Sequence, residues 1–341
     1  MSIMDKSGGS GRKPNVFTPS WDLYSCAIIA LFIYIQALSW DLFPVFIDIY
    51  YHLAVMLGYN AAGGYTPYGF WEYAPVGRAH LYPPLIHVIM LALFKAGLAK
   101  MFIARLLSFI IFPLAVASIW LFMRYLAGRR TAFFAVLVAA SVYPFYYSLM
   151  ITIPASLAIL FALASFVCVD KGKRIAGVIL LSYAFYTHAL MPWIMSLAFI
   201  AYAVTARKKA AAYMGTVLAA ALFAAPVIIN QMAGRGYYRH IDIIQDHRIE
   251  VGILLAVCAI VGAVISYRKK GGYYFLLCML FSFAILIPVH RFRFMNAEGL
   301  FGFIPLAAVG LDFFYSRIRA APGKVGFVLL AAMLFVFVSP A

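Results

Sequence analysis

The stretch "FIDIYYHLAVMLGYNAAGGYTPYGFWEYAPVGRAHLYPPLIH", Phe46 to His87, gathers an Asp, a Glu, an Arg and three His among aromatics, glycines and prolines. It follows directly on the first hydrophobic run of a 341-residue chain that is 66% hydrophobic and only 11% charged. An average soluble domain carries roughly 25% charged residues, so the setting of this polar stretch is a lipid bilayer. A spanning helix needs about 20 apolar residues. Working outward from the quoted stretch, crossings are predicted near 23–46, 102–123, 131–149, 151–169, 175–189, 191–206, 210–229, 251–267, 272–288, 297–315 and 323–340. The expected fold class is an all-α polytopic membrane protein, a bundle of about 11 transmembrane helices.

Charge sets the orientation. Lys plus Arg is 27 against 11 for Asp plus Glu, a formal charge of +16. The cations cluster between apolar runs, at Arg124 to Arg130, Lys171 to Arg174, Arg207 to Lys209, Arg268 to Lys270 and Arg317 to Lys324, which is the pattern of cytoplasmic loops under the positive-inside rule. Nucleic acid is therefore not called for as a partner; the lipid bilayer is. Residues 1–22 read as a polar, basic cytoplasmic tail, and 23–341 as the transmembrane domain. The two crossings beside His188 are short, but Arg174 and the Arg207 cluster fall on the same side only if an even number of crossings separates them. The same parity argument keeps "PPLIHVIMLALFKAGL", 83–98, from spanning, since a crossing there would put every later basic cluster outside. Its short apolar part, interrupted by His87, suits an interfacial or re-entrant helix. The quoted stretch thus belongs to one long external loop, 47–101, with interfacial helices, and 230–250 forms a second external polar loop. Cys26, Cys168, Cys258 and Cys278 lie within apolar runs, without the spacing of a disulfide framework or a zinc site.

Several residues on that external side have the chemistry of a site. Asp48 and His52 are four apart in a helical continuation and share a face, so together they suit a divalent metal or a hydroxyl proton; a helix cap in an aromatic belt is the plainer reading. Glu72, Arg78 and His80 lie on an aromatic, proline-rich path, where Arg78 suits either a ligand phosphate or a lipid headgroup. His290, Arg291 and Arg293, in "HRFRF", place two guanidinium groups at an outer helix end, against the positive-inside bias. An anionic ligand would account for them, as would pairing with Asp242, Asp246 or Glu250 of the polar loop. His188 is polar at membrane depth, a candidate ligand contact or a ring bonded to a backbone carbonyl. His240, Asp242, Asp246, His247 and Glu250 read as a solvated loop or as hidden metal ligands. Asp22, Asp41, Asp170 and Asp312 flank crossings and need no function. No P-loop, GxGxxG or GxSxG motif is present.

An anchor helix followed by external "DIYYH", a long aromatic loop, "YPPL" opening a helix, "GRR" between crossings and a late "RFRF…IPLAAVGL" helix together resemble the GT-C membrane glycosyltransferases, particularly oligosaccharyltransferase catalytic subunits. The resemblance implies a GT-C-like bundle that takes a sugar from a polyprenyl phosphate or diphosphate donor at the outer face of the cell membrane. It implies that Asp48 is the first-loop acid that binds metal or activates the acceptor, that Arg291 or Arg293 holds the donor phosphate, and that Glu250 stands for the acid of a later external loop. Asp48, with Glu72 as its substitute, is then the expected general base, and Arg78, Arg291 and Arg293 would stabilise the leaving phosphate, with His52, His80, His188 and His290 lining the substrate site.

Two departures from that family bear on the reaction. Where an acidic pair is expected near residue 150, the chain has "YPFYYSLMITIPAS" with no carboxylate. The soluble C-terminal domain with its tryptophan-rich acceptor motif does not follow the last run either. The expectation is therefore transfer of one sugar to a lipid, glycan or protein acceptor that the sequence leaves unnamed. Mg or Mn, held by Asp48 and Glu250, or no metal at all, would serve. A transporter or lipid-linked glycan flippase, and a non-catalytic glycolipid-binding relative, are the competing classes.

Overall fold

The computed structural model describes residues 20–44, 48–72, 74–205, 207–234 and 252–319. The tail before Ser20, the last predicted crossing at 323–340 and the polar-loop residues His240, Asp242, Asp246, His247 and Glu250 lie outside the described residues.

Helices dominate. In chain order they are α1 (Trp21–Leu38), α2 (Asp48–Ala61), α3 (Leu85–Lys95), α4 (Lys100–Ala127), α5 (Arg129–Ser141), α6 (Tyr143–Ile151), α7 (Ile153–Asp170) and α8 (Arg174–Thr187). They continue with α9 (Met191–Thr205), α10 (Ala210–Phe223), α11 (Ala225–Ala233), α12 (Ile253–Lys269), α13 (Tyr273–Phe283), α14 (Leu286–Val289), α15 (Arg291–Asn296) and α16 (Leu300–Arg319). Two strands, β1 (Tyr68–Gly69) and β2 (Arg78–Ala79), pair antiparallel between α2 and α3. By length and composition α1, α4, α7 and the segment Arg291–Ile318 are each able to cross a membrane. Two bent pairs, α5 with α6 and α10 with α11, bring that to six if each is one span. Helices α3, α8, α9 and the segment Tyr273–Pro288 are apolar but shorter. The result is a polytopic helical membrane protein, with a helix at each predicted crossing that falls within the described residues.

Local chemistry explains the breaks. The 73° bend between α5 and α6 and the 65° bend between α10 and α11 each precede a proline in the first turn of the second helix, Pro144 and Pro226. Proline lacks the N–H that would continue the preceding helix and is best accommodated in the first turn of a new one, although Pro113 and Pro305 lie inside α4 and α16. Gly128 ends α4 at φ +90°, a backbone geometry that glycine adopts without a side-chain penalty.

Helix α12 lies against α16 at backbone contact. A Cβ at Gly262 would stand 1.8 Å from the Leu306 carbonyl oxygen, and one at Gly310 would stand 2.0 Å from that of Cys258. Small residues permit such approach between membrane helices, where van der Waals packing replaces the hydrophobic effect as the source of association. Deeper in the bundle, Phe166 of α7 stacks on Phe275 of α13 with ring centroids 3.7 Å apart, and Phe199, Tyr202 and Tyr213 pack round them.

One end of the bundle is tied by ion pairs. Asp22 accepts from Arg124 through both oxygens, at 2.9 and 3.0 Å, and lies 3.2 Å from Arg129. Asp312 accepts from Arg130 and from Thr131, and Asp170 accepts from Lys209, Tyr125 and Tyr213. The basic clusters that the sequence placed on one side thus meet at one end. Helix α4, about 42 Å long at 1.5 Å per residue, reaches from there to the end that carries α2, the β hairpin and α3.

Candidate functional site

The polar end is assembled from the first loop and the start of α16. Helix α2 lies on α3 through a buried contact between His52 Nδ1 and His87 Nε2 at 2.9 Å. Trp71 fits against α2 only because residue 58 is glycine: a Cβ there would meet the indole at 2.4 Å. The β1–β2 pairing sets Gly69 opposite Arg78 and brings Arg78 onto the Glu72 carboxylate as an ion pair. From the far side, α11 clamps the loop: Asn230 Nδ2 donates to the His80 carbonyl at 2.8 Å, and a Cβ on Gly234 would collide with Leu81.

Asp48 opens α2 at the mouth of this region. It is exposed as a residue, yet burial pushes its carboxyl above the usual aspartate range, opposed by the positive charge of Arg293. The acid of the first loop and a guanidinium of the late "RFRF" run therefore share one electrostatic environment. Tyr82 lies between the two runs. Its phenol is pushed up by burial and feels Arg293, Asp48, Tyr51 and Glu298. Its ring stands 5.1 Å from His52, 5.6 Å from His87 and 6.3 Å from His188. Beside it Glu298, only 1% exposed, lies with Oε1 3.7 Å from Arg293 Nε.

The histidines are interior. Burial lowers His52 to about 4, with a smaller contribution from His80; burial lowers His80 too, with Glu72 opposing. Both are neutral imidazoles at pH 7. Nε2 of His80 and Nδ1 of His87 are buried with no hydrogen-bond partner, as are the Tyr59 hydroxyl and both oxygens of Glu298. His188 caps α9: its Nδ1 accepts from the N–H groups of Leu190 and Met191, each at 3.1 Å. The ring is bonded to backbone, as an acceptor from N–H groups and not as a donor to a carbonyl, so Nε2 carries the proton.

The fold gathers Asp48, His52, His188 and Arg293 round Tyr82, and places Glu72, Arg78 and His80 beside them through Tyr51 and His87. Glu72 is occupied: besides Arg78 it accepts from the Tyr51 hydroxyl at 3.4 Å, and its Oε1 is 4.0 Å from His80 Nδ1. Arg291 is exposed, and His290 stands beside the Phe292 ring; of the two arginines it is Arg293 whose charge reaches Asp48. Tyr51, Tyr82, His87 and Glu298 were not singled out by the sequence. For Glu298 a signal was present, an acid five residues beyond an unexpected Arg in an otherwise apolar external segment.

No family model and no curated protein matches the chain. Solved structures do. The crystal structure of the Archaeoglobus fulgidus oligosaccharyltransferase in the apo form superposes with a TM-score of 0.60 at 12% identity, over 93% of this chain and 55% of that one. The chain shares the fold of an oligosaccharyltransferase. A second structure, the archaeal oligosaccharyltransferase AglB from the same organism in complex with an inhibitory peptide and a dolichol-phosphate, gives a TM-score of 0.58 over the same shares of the two chains. The present chain thus spans about half the length of these relatives, and at 12% identity the likeness to AglB is one of fold, in line with the polytopic helical bundle that the family resemblance implied. Among the described residues no group of three or more His, Cys, Asp or Glu could hold a metal ion; of the two carboxylates expected to hold Mg or Mn, Asp48 is described and Glu250 lies outside the described residues.

Proposed function

We propose that this protein is a membrane glycosyltransferase that moves a sugar from a polyprenyl phosphate or diphosphate carrier to an acceptor, at the end of the bundle remote from the basic clusters. Under the positive-inside rule that end faces the exterior of the cell membrane. The observation that carries the reading is that Asp48 and Arg293, an acid and a guanidinium from distant parts of the sequence, both act on the buried Tyr82, whose ring packs against His52, His87 and His188. The oligosaccharyltransferase fold supports it, as does the dolichol-phosphate in the AglB complex, a phosphate-headed polyprenol of the class proposed here.

In this reading Arg293 binds the phosphate of the carrier, using a planar fork that matches two phosphate oxygens. As the bond from the anomeric carbon to the phosphate oxygen breaks, negative charge grows on that oxygen, and a fixed cation in a low-dielectric site stabilises it. Asp48 takes the proton of the acceptor nucleophile as its bond to the anomeric carbon forms. Its raised pKa suits a base that has to hold a proton. Tyr82 packs the floor between the two, and His52 and His87 keep that floor neutral. Glu72, held by Arg78 and Tyr51, braces the loop, which leaves Asp48 as the base.

The test is transfer by purified protein in vesicles supplied with a polyprenyl phosphate bearing a labelled sugar. Release of the sugar to an acceptor by the native chain, lost in Asp48→Asn and in Arg293→Met, is the expected result. Movement of the intact labelled lipid between leaflets without cleavage would make the protein a transporter instead. Binding of the carrier without turnover under every acceptor tried would make it a glycolipid-binding relative.

A further inference from the structure

Glu298 is the most enclosed acid among the described residues, and neither of its carboxylate oxygens has a hydrogen-bond donor. A charge at that depth is costly unless something holds it there. The Arg293 guanidinium opposes that cost, and the backbone fixes the two groups together. Between α15 and α16 the chain closes on itself: the Gly299 N–H donates to the Arg293 carbonyl at 3.0 Å, and the next turns begin with Leu300 N–H to the Ala297 carbonyl and Phe301 N–H to the Glu298 carbonyl. Residue 299 has to be glycine, because a Cβ there would lie 2.0 Å from the Phe294 carbonyl oxygen. Phe294, Ala297, Leu300 and Phe301, all buried, wall the clasp. Its outcome is a fixed distance of 3.7 Å between Glu298 Oε1 and Arg293 Nε.

An arginine near a membrane surface tends to extend its stem toward the headgroups, which would carry Arg293 away from Asp48. A guanidinium also has two edges that recognise oxygen pairs, and an acid on the Nε edge leaves the terminal pair of nitrogens for a second anion. We infer that Glu298 is a positioning residue: it holds Arg293 by its Nε edge within the site, so that the terminal nitrogens meet the phosphate head of the lipid carrier. The inference rests on the functional reading above, in which the carrier is phosphate-headed. It assigns to Glu298 no contact with the sugar and no proton transfer.

The experiment measures binding of a short polyprenyl phosphate to the full chain in detergent by native mass spectrometry, together with the donor KM and kcat. Glu298→Gln keeps the shape and removes the charge; it should weaken binding and raise the donor KM by about tenfold, with a much smaller change in kcat. In an Arg293→Met background the same substitution should have no further effect, because the arginine it positions is gone. Glu298→Asp, which keeps the charge but withdraws it from Nε, should fall between. Equal affinity in Glu298→Gln and the native chain, or an equal loss in the Arg293→Met background, overturns the inference while leaving the carrier assignment standing. Failure of the native chain itself to bind polyprenyl phosphate overturns both. Should Glu298→Gln not give monodisperse protein, Glu298→Asp decides, and native affinity in that variant is the overturning result.

Discussion

The two ends of the bundle use the same residue types to different effect. At the basic end each acid named above is engaged: Asp22 by Arg124 and Arg129, Asp170 by Lys209 and two tyrosines, Asp312 by Arg130 and Thr131. At the other end the Glu298 carboxylate, His80 Nε2 and His87 Nδ1 are buried with no hydrogen-bond partner, and Asp48 is exposed within the field of Arg293. Buried polar groups are paired in the great majority of cases. Where they are paired with one another, as at the basic end, the arrangement holds helices together. Where they are left over, as at Glu298, His80 and His87, the groups do not serve to tie one helix to another. The difference lies in satisfaction, not in charge.

The sharpest way to break that comparison is to exchange one acid at each end for its amide. Asp48→Asn should lower transfer by about a hundredfold or more, the scale of a lost general base, with thermal stability unchanged. Asp312→Asn should do the reverse, losing about 1–3 kcal/mol of stability because Arg130 and Thr131 lose a charged partner, with turnover per folded molecule retained. Turnover and thermal melting on the same preparations check both. An Asp48→Asn protein that melts early and turns over normally would place Asp48 in the structural class with Asp312.

A smaller effect concerns pH. His52 is lowered to about 4 by burial, against about 6.5 in an unfolded chain. Between those values the unfolded state binds the proton and the folded state does not, so stability is full above pH 6.5 and falls as pH drops toward 4. The slope is at most about 1.4 kcal/mol per pH unit for that one histidine. Melting temperature measured across that window should decline with acidity, and His52→Phe should flatten the decline. Catalysis adds a separate limb: because Asp48 is raised above the usual aspartate value, activity should fall on acidification at a pH above that value, as the base is protonated.

Much of the bundle could be read from the chain because its signals are local. Runs of apolar residues and the cationic clusters between them each act within a few positions, whereas the breaks before Pro144 and Pro226, inside the crossings expected at 131–149 and 210–229, went unread. Parity, together with a short apolar part, kept 83–98 from being predicted as a crossing, and α3 there runs over eleven residues. The expectation that Asp48 and a late arginine, Arg291 or Arg293, serve one site came from the family resemblance, and of the two it is Arg293 whose charge is felt at Asp48. What sequence could not supply was partnership across distance. Glu72 and Arg78 look like free ligands in a list of residues, but a two-residue hairpin turns them on each other. Glu298 looks like one acid in a short connection, and only the closure of Gly299 onto Arg293 shows where its charge is spent. His87 looks like an interruption in an apolar helix until His52 is seen across from it.

The smallest predicted effect separates position from surroundings. Asp41 lies just beyond α1, at the same end of the bundle as Asp48, and accepts from Arg105 Nη1 at 3.1 Å. Its side chain is 92% exposed and that of Arg105 is 32% exposed. If membership of the polar end were what made an acid functional, Asp41→Asn would impair transfer as Asp48→Asn does. If what matters is the surroundings of the carboxylate, Tyr82 and the Arg293 charge for Asp48 and solvent for Asp41, water replaces the lost Asp41 carboxylate at once, since an exposed pair contributes at most about 1 kcal/mol. The expected outcome is full transfer activity and a melting temperature close to that of the native protein, measured beside Asp48→Asn in the same vesicles. A clear loss of transfer in Asp41→Asn would enlarge the site to include Asp41, Arg105 and the start of α4.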